Sequence, residues 1–236
     1  MNSGNIIAEK AVKFYDDSKY EYARYKSWEH CYSEFQRVHN SKEYSDDDVD
    51  FLSLHLSFYL ASWGMYRGSS FLLETDYKVH TNAIKELLKQ KYDVLWGINV
   101  ADYSDDNIEL LFKLVKNIKK KYLTIKSKIK GFENSDVVSD TLVSKILLGT
   151  LGCTPAYDRF FIEAVISTEV ATGQFNEKSI KKLVEFYNDN YDLFEKTRKK
   201  MKYNNIVYPQ MKLLDSGFWQ YGYEEDLKKK YKKGKW

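Results

Sequence analysis

The chain contains little that interrupts or cross-links a backbone: two prolines, eleven glycines and two cysteines among 236 residues. Scarce proline leaves long stretches free to stay helical, because proline removes a backbone N–H and clashes with the preceding turn. Cys31 and Cys153 make neither a disulfide framework nor a metal knuckle, a usage that fits a reducing, cytoplasmic setting. No run of about eighteen apolar residues occurs, so no membrane-spanning helix and no membrane partner are expected. The opening residues MNSGNIIAEK lack the apolar core of a secretory signal. His30, Cys31 and His39 have no tight ligand spacing, and His55 and His80 stand alone, which argues against a metal centre. Phosphate-loop, dinucleotide, HExxH and Gly-x-Ser-x-Gly signatures are missing, so no cofactor is expected.

What is present points to helix. The chain is 43% hydrophobic, and its apolar residues recur at three- and four-residue steps, the period of a helix with one face in a core. The expectation is a mainly α, multi-helix globular fold over residues 1–236. Two lobes, 1–135 and 136–236, are one way to divide it. Ser45 before Asp46, Asp47 and Asp48, and Ser104 before Asp105 and Asp106, are helix starts. In each, a capping hydroxyl precedes acids in the positive first turn. Ser139 before Asp140, and Asn176 before Glu177, read the same way. Ile108, Leu111, Val115, Ile118, Tyr122, Ile125 and Ile129 form one apolar seam. Aromatics make up 16% of the chain, including twenty tyrosines, enough to build a core and still leave stacking surfaces.

Net charge is only +3, but the basic residues are clustered. No acid lies between Lys113 and Phe132, a stretch holding Lys116, Lys119, Lys120, Lys121, Lys126, Lys128 and Lys130, and the tail 227–236 is also basic. Such surfaces attract nucleic acid, because each neutralised phosphate releases a counterion.

The stretch 142–161 contains ILLGTLGCTPAYDRFF, an apolar helical run that breaks at Gly149-Thr150-Leu151-Gly152 and is expected to restart through Cys153-Thr154-Pro155-Ala156. A tight turn there would expose backbone N–H groups to a phosphate. It would also set Cys153 beside a helix N-terminus, favouring its thiolate. The segment resembles the hairpin of helix-hairpin-helix DNA glycosylases, with Thr150 where a glycine is usual and Pro155 as a departure. The resemblance implies DNA as partner, Gly149, Thr150, Gly152 and Thr154 as phosphate contacts with Lys119 and Lys120 beside them, and a cleft for a flipped base. Bifunctional members carry a hairpin lysine where this chain has Thr154, which implies monofunctional hydrolysis. Their aspartate near the start of a following helix has no match in Thr168–Gln174.

Breaking an N-glycosidic bond requires a carboxylate to face a cationic sugar. Asp158 is the first candidate and Glu169 the second, while a plain ion pair of Asp158 with Arg159 is the structural alternative. A base pocket needs stacking faces and a few directed polar groups, which Trp63, Tyr66, Arg67, Asp215 and Trp219 offer. Damaged bases and the modified bases of invading phage DNA are both admissible substrates. Two other readings remain open: a non-catalytic helical nucleic-acid-binding or protein-interaction module, and a small-molecule enzyme with its pocket at Trp63–Ser70.

Overall fold

A computed structural model describes residues 2–232. Helix dominates: α1 (Ser3–Ser18), α2 (Lys26–Ser41), α3 (Asp46–Ser62), α4 (Thr81–Leu87), α5 (Asp105–Lys126), α6 (Asp140–Thr150), α7 (Arg159–Ser167), α8 (Glu177–Asp189), α9 (Tyr191–Arg198) and α10 (Gln210–Lys232). Short 3-10 turns fill much of the stretch from Phe71 to Asp102, and Lys202–Tyr203 pairs with Ile206–Val207 as the sole sheet among the described residues. No described helix is long and apolar enough to cross a membrane.

The caps read from sequence start their helices. Ser45 forms a full capping box with Asp48, while Ser104, Ser139 and Asn176 accept the N–H groups of Asn107, Leu142 and Ser179. Each satisfies a donor that the helix itself leaves orphaned, typically stabilising by about 1 kcal/mol. The seam of α5 is buried from Ile108 to Tyr122, and its continuation at Ile125 and Ile129 is half-buried.

One hydrophobic core runs from Ile7 to Phe218 and crosses residue 135 without a break. Helix α10 packs on α1 and α7, while α2 packs on α3 and α6. Gly222 lets α10 touch α7, since a Cβ there would overlap the Phe160 carbonyl. That approach brings Trp219 to the start of α7. From Gln210 to Gln220 every residue of α10 is buried, so this helix lacks the polar face that periodicity looks for.

His80 is fully buried, hydrogen-bonded between Tyr66 Oη at 2.8 Å and Tyr122 Oη at 2.6 Å. Burial pushes its pKa down to about 3. The unfolded chain protonates this histidine near pH 6.5, whereas the native state does not, so stability falls as pH drops below about 6.5. The slope is at most about 1.4 kcal/mol per pH unit. Denaturant midpoints between pH 7 and 5 should decline, and His80→Gln should leave a smaller slope, to which His55, also lowered by burial, contributes. An undiminished slope in that variant would exclude His80 as its source.

Candidate functional site

A cavity of about 670 Å³ opens where the α3–α4 connection, α6, the start of α7 and α10 meet. Its walls include Trp63, Phe160 and Trp219, and Arg24, Arg67 and Arg159 line it with exposed side chains. Lys145 and Asp158 also line it, joined by a 2.8 Å ion pair in which the lysine is almost entirely buried. Asp158 is the only carboxylate among the lining residues, against four cations. Lys145 is paired with Asp158 and Arg159 with Asp226, so Arg24 and Arg67 are the cations best placed to meet an anion, beside the aromatic walls.

Local structure explains how each group is held. Asp158 is the N-cap of α7, with Oδ1 accepting the Phe161 N–H at 3.2 Å while Oδ2 accepts from Lys145. Lys145 projects from α6 and lies 5.0 Å from the centre of the Trp63 ring, a cation–π distance. Gly64 has φ +73°, and a Cβ there would stand 3.0 Å from the Arg67 guanidinium carbon. Glycine thus permits both the left-handed turn and the folding of Arg67 back over it. The Trp63 indole N–H is buried without a hydrogen-bond partner among the described residues.

A second buried pair lies behind the first. Lys212, 1% exposed, contacts Asp215 at 2.8 Å and sits 4.8, 5.0 and 5.7 Å from the ring centres of Phe14, Trp28 and Trp63. Asp215 also accepts the Ala156 N–H at 3.0 Å. Two lysine–aspartate pairs thus flank Trp63. Tyr59, also buried, has its phenol pKa pushed up by burial and further by the charges of Asp215 and Asp158. Stability alone is a poor reason for such an arrangement, because two buried charges cost more in desolvation than apolar residues of similar volume.

The sequence candidates divide. Trp63, Arg67, Trp219 and Asp158 meet in one cavity. Tyr66 turns to His80, and Asp215 supports Ala156 from the core. Glu169 is exposed in a left-handed conformation at φ +57° and borders a separate hollow with Asn2, Ser3 and Lys182. It shares no wall with Asp158. The alternative Asp158–Arg159 pair is absent: Arg159 instead reaches Asp226 at 3.2 Å and Glu163 at 4.0 Å.

The hairpin reading needs correction. Helix does not restart at Cys153; residues 152–158 run without helix until Asp158 caps α7. Gly149, Thr150, Gly152 and Thr154 are buried, so their backbone meets protein rather than solvent. Gly97 donates to the Leu151 carbonyl at 2.8 Å, and the Trp28 indole donates to Leu148 at 2.9 Å. Gly152, at φ +67°, presses on Pro209 and Tyr32. Its glycine serves packing. Cys153 is fully buried, and loss of solvent pushes its thiol up to about 12, the reverse of an activated nucleophile. Lys119 pairs with Asp140 at 2.6 Å, and Lys120 is exposed on α5.

Sequence reasoning missed Lys145, Arg24, Arg159 and Phe160. A lone lysine inside LVSKILLGT was the available signal, since a charge amid apolar helix positions needs a buried partner. No protein-family model, no curated protein and no solved structure matches this chain.

Proposed function

We propose that the arginine-lined cavity takes one nucleotide unit of DNA with its base turned out of the stack. The protein then hydrolyses the N-glycosidic bond of a damaged or modified base. One observation carries the reading: a Lys145–Asp158 pair set in the wall of an aromatic cavity that also holds three arginines. Its volume lies in the range of ligand sites, about 300–1,000 Å³. Guanidinium groups match phosphate oxygens two at a time, and aromatic walls accept the face of any base.

In the step proposed, the C1′–N bond breaks and its electron pair leaves with the base. Positive charge then grows on the sugar, and Asp158 faces it with a carboxylate. A water oxygen bonds to C1′; one of its protons remains on the sugar hydroxyl and the other ends on the released base. Lys145 is a positioning residue that holds the Asp158 carboxylate against the cavity wall.

A non-catalytic nucleic-acid-binding module is the second reading. It is favoured by the engagement of both Asp158 oxygens, one by Phe161 N–H and one by Lys145. Oligonucleotides carrying different modified bases, incubated with the protein and then treated with alkali, separate the two. Strand breaks at one class of base are expected. Binding with no break at any base would leave the module.

A further inference from the structure

A second cavity, of about 430 Å³, shares Gly64, Met65 and Arg67 with the first. Arg67 is therefore a divider common to both, folded over Gly64 and exposed at its head. Beyond it the lining changes character. Ser69, Ser70, Ser139 and Lys126 bring hydroxyls and a cation, Phe71 brings a ring, and no carboxylate lines the space. Ser70 and Ser139 accept the backbone N–H groups of Leu72 and Leu142, and neither hydroxyl donates to protein among the described residues. Lys126 spends one donor on the Val137 carbonyl at 2.8 Å and keeps two. The second chamber thus offers free donors and positive charge, with Lys126 its one residue from the basic stretch of α5.

Resting on the reading of the first cavity as a nucleotide site, we infer that the ligand is a single strand at least two nucleotides long. Its phosphodiester crosses Arg67, and its neighbouring nucleotide lies in the second chamber. A lone nucleotide would leave that chamber's donors to water, whereas a second phosphate-linked unit brings acceptors to them. A phosphodiester supplies two unesterified oxygens and one negative charge at the divider, where a guanidinium can bind both oxygens. Duplex DNA cannot enter both chambers without opening, so unpaired strand is the favoured form.

Equilibrium binding of 5′-dTMP, pTpT and pTpTpT to the full chain tests this, with each affinity followed against salt. The dinucleotide is expected to bind at least about tenfold tighter than the mononucleotide. Its log affinity should also fall more steeply with log salt, by about 0.7 for each further phosphate held. Ser69→Asp sets a negative charge on an exposed residue that lines the second chamber and not the first. The dinucleotide-to-mononucleotide affinity ratio should then drop to near one. A wild-type ratio within twofold of one, or a ratio unmoved by Ser69→Asp, would overturn the inference while leaving the mononucleotide site standing. Tighter binding of a diphosphate-bridged dinucleotide than of pTpT would also overturn it, in favour of a small-molecule ligand. Binding of none of these probes would overturn both readings.

Discussion

Asp215→Asn should cost about 3–5 kcal/mol of stability, the usual penalty for stripping one partner from a buried ion pair. Asparagine retains an acceptor for the Ala156 N–H but leaves the Lys212 ammonium, 1% exposed among aromatic rings, without its counter-charge. Cation–π contacts with Phe14, Trp28 and Trp63 are already made in the intact protein, so they do not replace the lost counter-charge. Lys212→Met alone should be similarly damaging, since it leaves a carboxylate 4% exposed and unpaired. Together the two changes should restore most of the stability, because neither charge is then stranded. Urea unfolding of the four proteins measures this as a double-mutant cycle. Strictly additive losses would show that the two charges do not interact.

Asp158→Asn should reduce base release by about 10²–10³-fold, the effect expected when a preorganised charge is removed from a transition state. DNA affinity should hold or rise, since the carboxylate acts on the chemical step and its removal lowers repulsion towards phosphate. The stability cost should approach that at Asp215: asparagine still caps α7, but the Lys145 ammonium, its side chain 4% exposed, loses its counter-charge. Lys145→Met provides the control for positioning. It should lower base release less than Asp158→Asn does, because the carboxylate remains at the cavity wall and on the cap. Single-turnover assays on folded protein, with affinity measured on the same DNA, separate these effects. Equal release per folded molecule by Asp158→Asn and the wild type would remove Asp158 from the chemistry, leaving it as a cap and ion-pair partner.

Much of the helical framework was legible because capping and periodicity are local. Ser45, Ser104, Ser139 and Asn176 each sit beside the N–H groups they satisfy, so a few residues suffice to place the helix start. The seam on α5 is likewise a property of one segment. Asp158 was legible as a chemical group but not as a cap. Its role depends on the chain remaining non-helical from Gly152, and that conformation follows from packing against Pro209, Tyr32 and Gly97. The hairpin failed for the same reason. A small-residue turn between apolar helices reads identically whether it faces a phosphate or a neighbouring helix.

The sequence by itself determined helix as the dominant element, the positions of most helix starts, and the presence of tryptophan, arginine and aspartate able to line a site. Those follow from interactions within about one turn of helix, whose range is set by backbone geometry. Only the tertiary structure decided which of them share a cavity. Lys145 and Asp158 are brought together by the non-helical link before α7, and Trp219 joins them because Gly222 lets α10 close on that helix. Arg24 and Arg67 come from opposite sides of α3, and their placement together depends on how the helices pack. Burial was decided there too. Whether a lysine is a solvated surface charge, as Lys120 is, or a desolvated one, as Lys145 and Lys212 are, depends on what the rest of the chain lays over it.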